Sequence, residues 1–314
     1  MFRNVSLLIV TIAMFATSLW AQDPADRQVF FGEQHMHTQN SFDGFTVAPH
    51  QTWEDAFRYG MGEPITLASN GVTIQRRTPY DFVAITDHSE YYGVLKQLTD
   101  PDDPLSQSEF AKGFTAGIIG GDTEAAAKYV SGLIGTLLTN NPMPEYITSD
   151  LLTGNWAKFI KTADEFYKPG EFTTLYAYEW TSIPNGQNMH RNVFFRETPA
   201  TVPFSSFDSQ NPEDLWTYLE VQRNAGIQTF AVPHNSNVSD GWMFSPNKFH
   251  GGPIDERYAK RRQLNEPLFE IAQTKGQSDA HPVLSPNDEF ADFEIFSNMI
   301  NVGLPSAVKL SLIH

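Results

Sequence analysis

His35-Met36-His37-Thr38-Gln39-Asn40-Ser41-Phe42-Asp43-Gly44 follows the short apolar run Gln28-Val29-Phe30-Phe31-Gly32. Side chains alternate across a strand with period two, so His35 and His37 point to one side of an extended segment. Imidazole nitrogen is the commonest protein ligand for zinc-like metals, and two on one strand face make half a site. Asp43, six residues after His37 and followed by Gly44, lies within a turn's reach. One His-x-His can fall on a surface by chance. Here similar residues recur beside apolar, β-rich runs: Ala84-Ile85-Thr86-Asp87-His88, Tyr178-Glu179-Trp180, His190-Arg191-Asn192 and Val232-Pro233-His234-Asn235. A ligand at the end of strand after strand is how a multinuclear metal site is assembled.

Working outward, strands are expected at Val29–Phe31, Phe82–Thr86, Thr173–Tyr178, Asn192–Phe195, Thr229–Val232 and Leu268–Ala272. Helical patterns lie between several of them. Thr52–Tyr59 opens with a capping threonine. Asn211–Ala225 begins Asn-Pro-Glu-Asp and carries Leu215, Leu219 and Val221 at amphipathic spacing. Strand alternating with helix predicts an α/β fold with parallel strands. Residues 95–160 carry Pro101, Pro104 and an Ala/Gly-rich stretch with no ligand pattern. They read as a mainly helical insertion, either peripheral helices or a lid. Residues 235–265, with Trp242, Phe244, Phe249, Arg257, Arg261 and Arg262, read as a long loop near the site followed by a short helix.

The 314 residues carry Lys+Arg 21 against Asp+Glu 37, a net charge of −16. That balance argues against sequence-independent nucleic-acid binding, which needs a basic face. Residues 1–21 read as a signal peptide: Arg3, an apolar core from Leu7 to Ala16, and a cleavage region from Thr17 to Ala21. The core is too short for a membrane span of about 20 residues, so no span remains after cleavage. This predicts a periplasmic or secreted protein whose residues 22–314 form the functional domain. There is no cysteine, hence no disulfide and no thiolate ligand. A metal here must be held by His, Asp and Glu, which favours Zn, Mn or Fe.

The stretch from His35 to Gly44 resembles the first motif of the polymerase and histidinol phosphatase (PHP) superfamily, H-x-H-T-x-x-S-x-D-G. Asp81–His88 resembles its second. The wider pattern is similar to a secreted bacterial branch long catalogued as a domain of unknown function. Its matching pieces are Gly62–Ile65, Arg77–Gly93, Ala177–Ser182, His190–Arg196, Val232–Asn237, Glu270–Ser278 and Ser285–Phe290. The resemblance implies a distorted (β/α)7 TIM-like barrel with two or three divalent metals at the C-terminal ends of its strands. It implies His35 and His37 as ligands of a first metal and Glu179 as a carboxylate bridging two. Asp43 and His88 would hold a peripheral third metal, and His190 and His234 would serve the second and third.

Several residues carry two readings. Asp87, next to a ligand, is expected to orient it rather than bind metal. Arg191 and Lys275 are candidates for binding an anionic oxygen of the substrate, or for ordinary salt bridges. His281 is a candidate for substrate contact or a structural role. His50, His250 and His314 have no supporting context. The superfamily ordinarily closes with a late Asp-x-His motif, whereas after Phe293 this chain has no Asp and no His except His314. The expectation is a chain cut short at its C-terminus, lacking the last strand and one ligand of the first metal.

Taken together, these features predict a metal-dependent hydrolase, a phosphoesterase, acting on a small-molecule or saccharide-type phosphate or sulfate ester through a metal-activated hydroxide. Glu179, His88, Arg191 and Lys275 are the expected catalytic residues. Amide, lactone or glycoside cleavage on the same scaffold is one alternative, and a non-catalytic metal- or ligand-binding periplasmic protein is another.

Overall fold

The apolar runs form strands whose alternate side chains meet two differently built surroundings. The computed structural model describes residues 27–47 and 50–296. The signal peptide at 1–21 and everything beyond residue 296 lie outside the described residues. The chain divides into an N-terminal unit, Met1–Phe30, and a second unit from Phe31 onward, whose architecture follows.

In chain order the elements are β1 (Gly32–Met36), α1 (Phe42–Val47), α2 (Trp53–Gly60), β2 (Ile65–Thr66), β3 (Thr73–Ile74) and β4 (Phe82–Ile85). Then come α3 (Val94–Thr99), α4 (Glu109–Ile118), α5 (Thr123–Leu138), α6 (Ser149–Phe166), β5 (Thr173–Trp180) and β6 (Arg191–Phe195). The series ends with α7 (Pro212–Asn224), β7 (Thr229–Pro233), α8 (Glu256–Asn265), β8 (Ala272–Gln273) and β9 (Gly276–Gln277). The two expected helices start where their caps predict. Thr52 forms a capping box with Asp55, and the Asn211 side chain accepts from the Glu213 amide ahead of Pro212.

Five strands make one sheet in the order β1-β4-β5-β6-β7. β1, β4 and β5 run parallel, while β6 is antiparallel to both β5 and β7. The expected parallel sheet therefore holds except at β6. The reason is the short link between β5 and β6, which contains only a 3-10 turn at Pro184–Gly186. Parallel neighbours need a long crossover, and a link this short suits antiparallel strands. The architecture is mixed α/β, and among the described residues no strand pairing closes the sheet into a barrel.

One face of the sheet presents Val83, Ile85, Tyr178, Trp180, Val193 and Phe195 to Trp53, Phe57, Trp156, Phe159 and Leu215 of α2, α6 and α7. The opposite face forms a small cluster of strand residues alone: Ala84, Ala177, Phe194 and Val232, with Leu175 and Phe230. Two residues further along that second parity stand Glu179, His234 and, on the reversed strand, Asn192, with His190 two residues beyond it. The period-two pattern thus carries the polar residues out of the apolar face at one common rim.

The insertion between β4 and β5 is helical, as expected, and comprises α3 to α6. It has its own core of Tyr91, Val94, Leu98, Phe114, Leu133 and Tyr146, which includes Phe45 of α1. Two strand expectations shift. The first strand starts at Gly32, after the apolar run, and Phe31 is exposed. Of Leu268–Ala272 only Ala272 is in a strand, the short hairpin β8–β9, while Leu268 and Ile271 are exposed. No helix among the described residues is long and apolar enough to cross a membrane.

Candidate metal centre

The rim is built by short, strongly specified turns. β1 has one residue more than β4 between the pairs Glu33↔Val83 and Met36↔Ile85. Such a bulge re-aims the side chains it carries, and His35 lies within it. Asp87 is fully buried and accepts from the Thr38 amide at 2.6 Å, the Thr38 hydroxyl at 2.8 Å and the Trp53 indole at 2.7 Å. It therefore holds the turn after His37. Gly44 packs so closely on that turn that a β-carbon would stand 2.1 Å from the Thr38 carbonyl oxygen. Only glycine lets α1 bring Asp43 back to His37.

His88 and Glu179 are bridged strand partners, with the Ser89 amide donating to the Glu179 carbonyl at 2.8 Å. The reversal of β6 matters here. It puts the start of that strand, not its end, beside Trp180 and Pro233, through the pairs Trp180↔Arg191 and Arg191↔Pro233. His190 and His234 then meet at the same rim, and the His234 amide donates to the His190 carbonyl at 3.4 Å.

Glu179, 1% exposed, is the centre of the arrangement. Its Oε2 lies 3.2 Å from His35 Nε2 and 2.8 Å from His37 Nε2. Its Oε1 lies 2.6 Å from His190 Nδ1, 3.1 Å from His234 Nε2 and 3.6 Å from His88 Nδ1. Asp43 extends the cluster, with Oδ1 2.9 Å from His37 Nδ1 and Oδ2 3.4 Å from His88 Nε2. All seven residues expected as ligands are thus in one place.

The donor atoms fall into four overlapping sets, each with its atoms within 4.8 Å of one another: His35/His37/Glu179, His37/Asp43/His88, His88/Glu179/His190 and His35/His234/Glu270. Bonds of 2.0–2.2 Å in a tetrahedral site place ligand atoms roughly 3.4 Å apart, so the spacing fits metal ions. Satisfaction of polar atoms fits too. His37 Nε2, both ring nitrogens of His190, His234 Nδ1 and Glu270 Oε1 are buried without a hydrogen bond. Leaving such atoms unpaired is costly unless something else satisfies them.

The electrostatics separate the histidines. Burial alone would raise the Glu179 carboxyl, but His88, His234 and His190 hold it well below the usual carboxylate range. Burial pulls His190 down to about 3 and His234 to about 4 against the attraction of Glu179. Both are neutral at physiological pH, the form that donates a lone pair to a metal. At His37 burial also opposes charge, but Asp43 and Glu179 outweigh it and push the imidazole well up.

A family model described as "Protein of unknown function (DUF3604)" matches residues 24–310. The chain belongs to this family. No curated protein matches it.

One ligand-type residue escaped the sequence reading. Glu270 Oε2 lies 2.9 Å from His35 Nδ1, and its amide donates to the Pro233 carbonyl at 3.1 Å. Its carboxylate thus stands beside His35, one of the two histidines the resemblance gives to a first metal. The signal was present: an acid directly after Leu268-Phe269, as Glu179 follows Tyr178. His281, the other late candidate, makes no hydrogen bond or ion pair with the cluster. Its Nδ1 accepts from the Val283 amide.

The two expected cationic groups part company. Lys275 lines the cavity of about 460 Å³ that opens on His35, His37, Asp43 and Glu270, together with Gln34, Gln273 and Thr274. Its hairpin is pinned to the loop after His234, since Asn237 Nδ2 donates to the Lys275 carbonyl at 2.8 Å. Arg191 instead pairs with Glu266, Nε to Oε1 at 3.0 Å, and donates to the Met189 carbonyl. It is the salt bridge of the two readings. No residue of the helical insertion lines this cavity.

Proposed function

We propose that this chain is a secreted metal-dependent hydrolase of the PHP type, built on a distorted barrel, that cleaves phosphate esters, with sulfate esters as the second chemistry the site suits. The observation carrying this reading is Glu179, whose two oxygens face different sets of histidines. A carboxylate so placed is shaped to bridge two ions.

Two or three divalent ions, Zn, Mn or Fe by the donor chemistry, would be held by His35, His37, Asp43, His88, Glu179, His190, His234 and Glu270. When bound, they supply Lewis acidity that brings the ionisation of water near neutral pH and polarises the ester. Glu179 would offer one oxygen to each of two histidine sets that hold the ions. His190 and His234, neutral at working pH, keep their lone pairs available. Thr181 hydrogen-bonds His88 Nδ1 and orients that ring. Lys275 offers an ammonium group to a non-bridging ester oxygen and offsets the charge that develops there. Gln34, Gln273 and Thr274 contribute neutral donors from the same wall. Arg191 supports the strand start that carries His190. The apolar, basic-flanked N-terminus supports export to the periplasm or beyond.

The test is metal analysis of the purified full chain with turnover on phosphate mono- and diesters, sulfate esters, amides, lactones and glycosides. Metal-dependent phosphoester cleavage, lost on chelation and regained on metal return, is the expected result. Full metal occupancy with no turnover on any of these substrates would make it a binding protein. Turnover confined to amides, lactones or glycosides would move it to another bond class.

A further inference from the structure

A second cavity, of about 350 Å³, opens beside the metal centre and shares no lining residue with the first. It is assembled from segments that also carry metal-type residues. Met189 and Arg191, which flank His190, form part of its wall. The loop leaving His234 supplies Asp240 and Trp242.

The wall is aromatic. Trp242 and Phe249 meet edge to face with centroids 6.0 Å apart, and Tyr258 packs edge to face on Trp216 at 5.1 Å. The charges of the wall sum to zero only when Asp240 is included, three cations against three acids. Arg191 Nε and Arg262 Nε each lie 3.0 Å from an oxygen of Glu266, and Lys248 Nζ lies 2.8 Å from Asp255 Oδ2. The third acid is Asp240, whose Oδ1 is buried with no hydrogen-bond partner. An ionised carboxylate only accepts, and an unmet buried acceptor costs about 1–3 kcal/mol. The cavity therefore rewards a ligand with hydroxyl donors and a face that packs on aromatic rings. It has no net positive charge to hold an anion, and its unpaired group is an acceptor.

We propose that this cavity is a binding site for a neutral saccharide of one or two rings. Its volume lies at the small end of ligand pockets, roughly 300–1,000 Å³. A sugar ring brings hydroxyls to Asp240 and its C–H face to Trp242 and Phe249. Phosphate, sulfate and carboxylate groups are left to the metal cavity, so the inference stands whether or not the metal centre cleaves esters.

The test is calorimetric and saturation-transfer NMR titration of the full chain with glucose, galactose, xylose, cellobiose and inorganic phosphate. Asp240→Asn and Trp242→Ala are run alongside. Asp240 has φ 51°, in the left-handed region that Asn also adopts readily, so Asp240→Asn keeps the loop. At least one sugar should bind with a millimolar or better dissociation constant. Each variant should weaken it by about tenfold or more, with metal content equal to the parent's. The proposal is overturned if no sugar binds at roughly 10 mM, the weak end of measurable affinity. It is equally overturned if both variants bind sugar as the parent does, or if phosphate is the ligand these variants lose.

Discussion

Two buried glutamates, each with a side chain 1% exposed, sit on opposite sides of the start of β6 and differ in every other respect. Glu266 receives Arg191 Nε at 3.0 Å, Trp216 Nε1 at 2.8 Å and Arg262 Nε at 3.0 Å. Its partners are permanent donors, so the carboxylate is satisfied and closed. Glu179 receives five imidazoles, several with buried nitrogens that make no hydrogen bond. Imidazoles switch between donor, acceptor and ligand. The same acid group is thus structural where its neighbours can only donate, and ligand-competent where they can give a lone pair.

The sharpest way to break this comparison is Glu179→Gln. Gln keeps the volume but loses the charge and the second equivalent oxygen. Hydrolysis is expected to fall by on the order of 10³-fold or more, with the circular dichroism spectrum unchanged. A folded variant retaining more than about a tenth of parental turnover, a barrier change near 1.4 kcal/mol, contradicts the bridging role.

Arg191→Ala should do the reverse. It leaves the buried Glu266 with Arg262 as its one cation, so denaturant unfolding should show a loss of up to about 3 kcal/mol, the low end for breaking a buried pair outright. Metal stoichiometry of the folded fraction should stay as in the parent. If metal is lost while stability holds, Arg191 belongs to the metal side of the comparison.

Glu270→Gln tests whether the first metal's set extends to this residue. Changes to groups that merely orient ligands already cost roughly 10–100-fold in affinity or activity. A loss at least that large, read by competition with a chelator, is expected. Unchanged affinity would leave Glu270 as only a partner of His35.

The smallest effect is on pH dependence. Burial would raise Glu266, but Arg191 and Arg262 outweigh it and hold it below its ordinary 4.5. A folded value below the unfolded one contributes stability that is present above about pH 4.5 and lost as pH falls through the folded value. Thermal midpoints of the parent and Glu266→Gln should therefore converge as pH drops below 4.5. A constant gap down to strongly acid pH would show that Glu266 is not charged in the fold.

What the sequence determined by itself was local. Side-chain parity on extended segments put His35 and His37 together and placed His88, Glu179 and His234 beside strand ends. Thr52 and Asn211 announced helix starts, because a cap depends on residues two or three positions away. What only the tertiary structure decided was long-range. Glu270 meets His35 across 235 positions and from irregular backbone, where no periodicity marks an inward face. His190 joins the rim because β6 runs backwards, a consequence of a connection too short to cross over. Arg191 is bound to Glu266, 75 residues on, and does not line the cavity beside His35. Residue type and spacing can show that a group is able to ligate or to pair, but only the packed chain shows which partner lies within 3 Å.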